Sequence, residues 1–143
     1  MQKSTNRSAP AVTAPTDRRP NQGVAWVREL FPEARSYLDV YERAGLLRER
    51  ATYAHCIYLD ATDRERMAAM GASAAFCPTS NLYLGSGLFD VAAADAAGLR
   101  FSLATDVGGG TSFSMLRTMG EAYKAAQLLN QTLSPLRMFY LAT

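Results

Sequence analysis

Two side chains and one loop of this sequence sit where they could do chemistry. His55, the sole histidine, lies in the apolar run Tyr53-Ala54-His55-Cys56-Ile57. An imidazole at the end of a strand can exchange a proton near pH 7 or bind a metal, or it can be a core histidine hydrogen-bonded to backbone. Asp106 follows the apolar run Phe101-Ser102-Leu103-Ala104-Thr105 and precedes Val107-Gly108-Gly109-Gly110. A carboxylate there can hold a divalent ion or take a proton from a bound water, and the glycines let backbone approach a substrate closely. A turn or cap aspartate is the plainer reading. The glycine run lacks the Lys-Ser/Thr ending of a phosphate-cradling loop and the spacing of a dinucleotide fingerprint, so both are excluded. The polar stretch Pro78-Thr79-Ser80-Asn81, with Gly85-Ser86-Gly87 behind it, can shape a pocket or simply turn the chain.

The elements that must position these residues alternate. Residues 51–59 read as a strand; Thr62 with Glu65 forms a capping box opening a helix that Gly71 closes. Residues 73–77 read as a second strand ending in the loop 78–81. Asp90 caps a short Ala-rich helix stopped by Gly98, residues 100–105 form a third strand, and a long helix covers about 113–129. Upstream, Val24, Val27, Leu30 and Phe31 mark one helical face, Pro32 breaks it, and Tyr37, Leu38, Tyr41 and Leu46 mark another. Ser134-Pro135 opens a last helix that is still running at Thr143. Near-continuous apolar strands alternating with helices call for an α/β fold, a parallel sheet covered by helices, with reactive groups at the C-terminal strand ends.

Residues 1–22 are rich in Ser, Thr, Pro, Asn and Arg, and with almost nothing apolar to bury they are expected to be a disordered tail; residues 23–143 form the folded unit. The tail carries Lys3, Arg7, Arg18 and Arg19 against Asp17, a net of +3, so the remaining residues sum to −1 and the chain's basic balance of +2 comes from the tail. No basic stripe follows residue 22, which argues against nucleic acid. Pro10, Pro15 and Pro20 break the amphipathic helix a transit peptide needs, and no apolar run spans a membrane. Cys56 and Cys77 make no disulfide framework, and the expected location is cytoplasmic.

Taken in order, Ala54-His55-Cys56-Ile57-Tyr58-Leu59, then Cys77-Pro78-Thr79-Ser80-Asn81-Leu82, then Ala104-Thr105-Asp106-Val107-Gly108-Gly109-Gly110 followed by Thr111-Ser112-Phe113-Ser114-Met115 resemble the guanine deaminases of the amidohydrolase superfamily, over residues 24–143. The resemblance implies a partial (β/α)8 barrel of about three strands, from the second half of such a barrel. It implies one zinc ion that activates a water for attack on C2 of guanine, a small-molecule purine substrate, releasing ammonia and leaving xanthine. By position, His55 matches the histidine that orients the water and the developing charge. Asp106 matches the aspartate that contacts zinc and substrate and shuttles the proton; Asn81 lies in a loop beside the pocket, with no direct role implied. The family also needs a His-x-His pair and a further His with a nearby Glu. Where the last two belong, this chain has Arg18-Arg19-Pro20-Asn21-Gln22-Gly23, as if a frame shift or fusion had supplied residues 1–22.

One histidine and one carboxylate are too few for a zinc site, so the isolated chain is expected to be inactive. Three strands cannot close a barrel of about 250 residues, so exposed sheet edges and an uncovered apolar interior face are expected to make the chain self-associate. Two alternatives stand beside this reading: an amidohydrolase acting on another heterocycle, and a non-catalytic remnant or partner of a full-length deaminase.

Overall fold

The computed structural model describes residues 22–143, so the expected disorder of 1–22 lies outside the described residues except at Gln22, which opens a helix. The element order is α1 (Gln22–Leu30), α2 (Tyr37–Arg43), β1 (Thr52–Ala54), α3 (Ala61–Ala69), β2 (Ser73–Phe76), α4 (Pro78–Tyr83), α5 (Val91–Ala96), β3 (Arg100–Leu103), α6 (Met115–Leu128) and α7 (Pro135–Ala142). The three strands pair in the order β1-β2-β3, all parallel, with Ala54 opposite Ala75 and Phe76 opposite Leu103. Strands β1 and β3 each have one unpaired edge within this sheet, as the three-strand reading expects.

Strand pleat decides which residues meet the helices. Ala74, Phe76 and Leu103 are buried on one face, where Phe76 stacks on Phe89 at 4.8 Å between ring centroids and Phe89 meets Phe101 at 5.1 Å. Helices α6 and α7 complete this core with Met119, Ala122, Ala126, Met138 and Leu141. The other face carries Thr52, Ala54, Ser73, Ala75, Arg100 and Ser102, each exposed or half-buried. Small and polar residues therefore line the uncovered side, in place of the apolar interior expected. The strands alternate rather than running apolar throughout, because only one face is covered.

Several boundaries move for local reasons. The first strand stops at Ala54, since His55 and Cys56 take φ of 65° and 51° and leave the sheet. Asp60, not Thr62, caps α3: its carboxylate accepts from the Asp63 backbone N–H at 2.8 Å. The second strand ends at Phe76 rather than Cys77, and residues 78–81, expected as a loop, open α4 with Pro78 at its first position, where a missing N–H costs nothing. The third strand ends at Leu103, and Ser114 caps α6 two residues later than expected. Asp90, Gly98 and Ser134-Pro135 act as read from the sequence. Leu47 rather than Leu46 is buried after α2, and α1 leaves Trp26 and Leu30 exposed. Among the described residues no helix is long and apolar enough to cross a membrane.

Candidate functional site

His55, Cys77 and Asp106 follow the C-terminal ends of β1, β2 and β3, so the parallel sheet delivers all three to one rim. Their potential ligand atoms lie within 4.8 Å of one another, and His55 Nε2 stands 3.8 Å from Asp106 Oδ2. That separation is too long for a direct hydrogen bond. It matches two donors sharing one small ion at bond lengths of about 2.0–2.2 Å, or one water. Both side chains are about two-fifths exposed, open enough to meet a substrate.

The two strand ends are built differently. The His55 backbone N–H still donates to Ala75 O at 2.9 Å, and the next N–H, of Cys56, turns back to Ala54 O at 2.8 Å. This three-residue turn around a positive φ is uncommon and strained for a residue with a Cβ. It throws the imidazole across the rim toward β3. Asp106 also has a positive φ, 47°, and its carbonyl accepts from the Gly110 N–H at 2.5 Å, closing a tight loop. A Cβ on Gly110 would stand 2.1 Å from Thr105 O and one on Gly109 3.0 Å from Asp106 Oδ2. The glycines therefore let the loop fold onto itself around Asp106, which explains them without the substrate approach expected from the sequence.

Helix α4 ties the two ends together. The Thr79 hydroxyl donates to Thr105 O at 3.0 Å, and Asn81 Oδ1 lies 2.8 Å from His55 Nδ1. Asn81 is 2% exposed, and its Nδ2 is buried with no hydrogen-bond partner among the described residues. Leaving such a donor unsatisfied costs about 1–3 kcal/mol. Sequence reasoning placed Asn81 beside the pocket and gave it no role; the signal available was its position just past β2 on the same rim as His55. The sequence alone gives Cys77 no ligand role. Burial pushes its thiol up, with Asp106 adding to the effect and the His55 backbone N–H opposing it. Cys77 is therefore a thiol at neutral pH and a weaker donor than its two neighbours.

For a zinc ion the donor set fits in part. Asp106 and His55 offer one oxygen and one nitrogen on one side of a common point, and Cys77 Sγ is the third atom within reach. A catalytic zinc takes three protein ligands and keeps one open position. A groove of about 270 Å³ opens elsewhere, lined by Tyr37, Tyr41, Tyr53, Cys56, Ile57 and Met67 and by neither His55 nor Asp106.

The family model described as amidohydrolase family matches residues 19–143. The guanine deaminase of Escherichia coli (strain K12) is 47% identical over 120 residues, covering 84% of this chain and 27% of the relative. The solved structure of E. coli guanine deaminase superposes with a TM-score of 0.82 at 46% identity, over 85% of this chain and 28% of that one. Guanine deaminase from C. acetobutylicum, solved with guanine bound in the active site, gives 0.81 at 26% identity, over 85% and 31%. The chain thus spans little more than a quarter of the length of the E. coli relative, and its three parallel strands with their helices are a partial barrel.

Proposed function

The chain belongs to the amidohydrolase family, whose members are metal-dependent hydrolases, and on that premise we propose that it carries the His55 and Asp106 half of a guanine-deaminating site. The observation that carries this is the meeting of an imidazole and a carboxylate from two different strand ends, 3.8 Å apart on the exposed rim. The names of the relatives support guanine as the substrate.

Bound zinc supplies a Lewis acid that brings the pKa of a water down to about 7. Asp106, with His55 and Cys77 within reach, would hold the ion, and its carboxylate accepts the proton that the attacking water gives up. It then passes that proton toward the departing amino nitrogen, so that the C2–N bond of guanine breaks, ammonia leaves and xanthine remains. His55 Nε2 contacts the same water and fixes its direction of attack. The site is completed by ligands beyond the single histidine here, so the 143-residue chain alone is inactive.

The test is ammonia release from guanine with zinc, using the chain alone and the chain mixed with a polypeptide supplying the rest of the E. coli relative. Turnover only in the mixture is expected. Turnover by the chain alone would contradict the half-site, and a folded, zinc-loaded mixture without turnover would contradict guanine as substrate. The single histidine favours one second reading, a non-catalytic partner of a full-length deaminase. Its mark is stable co-purification with such an enzyme and no effect of Asp106→Asn on the rate.

A further inference from the structure

We infer that Asn81 is the positioning residue of His55: its carboxamide oxygen holds the imidazole proton on Nδ1, so that the lone pair of Nε2 faces Asp106 and Cys77. The argument starts from the acceptor. An amide oxygen has lone pairs and no hydrogen, so at 2.8 Å from the ring nitrogen the proton of the hydrogen bond belongs to His55 Nδ1. A neutral imidazole carries one proton, which leaves Nε2 as an acceptor.

The position of the Asn81 side chain is fixed by its main chain and burial. It is 2% exposed, its backbone N–H donates to Cys77 O at 3.0 Å, and its carbonyl accepts from the Ser86 N–H at 2.9 Å. The side chain therefore leaves α4 from a fixed root, while the turn at residues 54–56 fixes the root of the imidazole. Turning the carboxamide over would place Nδ2 against the ring and force the proton onto Nε2. That proton would point at Asp106 Oδ2 across 3.8 Å, beyond hydrogen-bond reach, and would block the one nitrogen able to join a shared ion or water. Hydrogen bonding of the second ring nitrogen is the general device by which proteins fix a histidine's tautomer and aim its other nitrogen.

What this does for catalysis rests on the half-site reading above; the tautomer itself does not. The closing experiment therefore uses no substrate and no metal. Since His55 is the sole histidine, long-range proton–nitrogen correlation spectra of the nitrogen-labelled chain, in chelator at alkaline pH where imidazole is neutral, report this ring alone. Nε2 couples to both carbon-bound ring protons and Nδ1 strongly to one, which assigns the two nitrogens. The wild type is expected to show Nδ1 protonated and Nε2 as the bare nitrogen. Asn81→Asp, which keeps an acceptor oxygen, retains that pattern, and Asn81→Leu loses it toward the Nε2-protonated form that a free imidazole favours. A wild-type ring protonated on Nε2 would overturn the inference even if Asn81→Leu fails to fold. So would a folded Asn81→Leu chain that keeps the Nδ1 proton. A failed deamination assay would leave these results untouched.

Discussion

The sheet's two flanks are held by different physics, and the candidate site straddles them. On the β3 side, Phe76, Phe89, Leu103, Ala122, Ala126 and Leu133 are buried in an apolar core, and the Arg137–Asp95 pair closes its outer edge at 2.7 Å. On the β1 side, α2 and α3 add Leu38 and Met67 to that core and are in addition clasped by charge. Arg35 pairs with Asp60 and Asp63, and Arg66 pairs with Asp39 at 2.7 Å, with Asp63 at 3.1 Å and with Glu42. That flank also leaves the 270 Å³ groove and exposes Trp26, Tyr37 and Tyr58 by about half. Asp106 thus stands on packed apolar ground, whereas His55 stands on a flank that salt and acid can loosen and relies on Asn81 from α4. Apolar burial is insensitive to both agents; ion pairs with partly exposed arginines are not.

Breaking each flank separately sharpens the contrast. Phe89→Ala, removing a ring buried between Phe76 and Phe101, should cost about 3–5 kcal/mol in denaturant unfolding, equally at low and high salt. Gly110→Ala drives a Cβ into Thr105 O and Thr79 Oγ1, backbone and a pinned hydroxyl that cannot yield. A loss of about 3 kcal/mol is expected, with displacement of Asp106. Asp63→Ala empties the one buried carboxylate of the clasp. Its arginine partners keep a quarter to nearly half of their side-chain surface in water, so the cost should be only about 1–2 kcal/mol, shrinking in high salt. A salt-independent loss there would remove the distinction between the flanks.

Acid gives a subtler test. The bond to Arg66 holds the Asp39 carboxyl below its ordinary range, and the Asp63 backbone N–H together with Arg35 does the same for Asp60. A carboxyl whose folded pKa is depressed contributes stability that is present above its unfolded value, about 3.9, and is lost as pH falls through the folded value. The melting temperature should therefore drop below about pH 4, and Asp39→Asn should flatten that drop. The smallest effect is expected at Asp106. Asn tolerates a positive φ, so Asp106→Asn should change stability by less than about 0.5 kcal/mol, whereas His55→Asn, which takes the ring partner from the buried Asn81 Oδ1, should cost about 1–2.

What the sequence made legible was local. Asp90 and Ser134 cap within three residues of themselves, and the alternation of strands and helices needs only neighbours. The site residues were found by type and position, but their relation was not. The bond from Asn81 to His55 joins residues 26 apart, and nothing in the spacing says which side chain of a polar stretch will reach the ring. The turn that ends β1 at His55 overrides a run with every propensity to remain extended. Asp60 and Thr62 both satisfy the rules for a cap, and Asp60 is also bound by Arg35 from the connection before α2, a contact no local spacing reveals.

The most direct test grafts residues 22–143 in place of the matching segment of E. coli guanine deaminase, so that the rest of that enzyme completes the ligand set. Guanine turnover is then measured for this graft and for its His55→Asn and Asp106→Asn versions. The account predicts ammonia release by the graft, lost by at least about a hundredfold in Asp106→Asn, with both variants still folded. A folded graft that deaminates guanine equally well without the Asp106 carboxylate would contradict it.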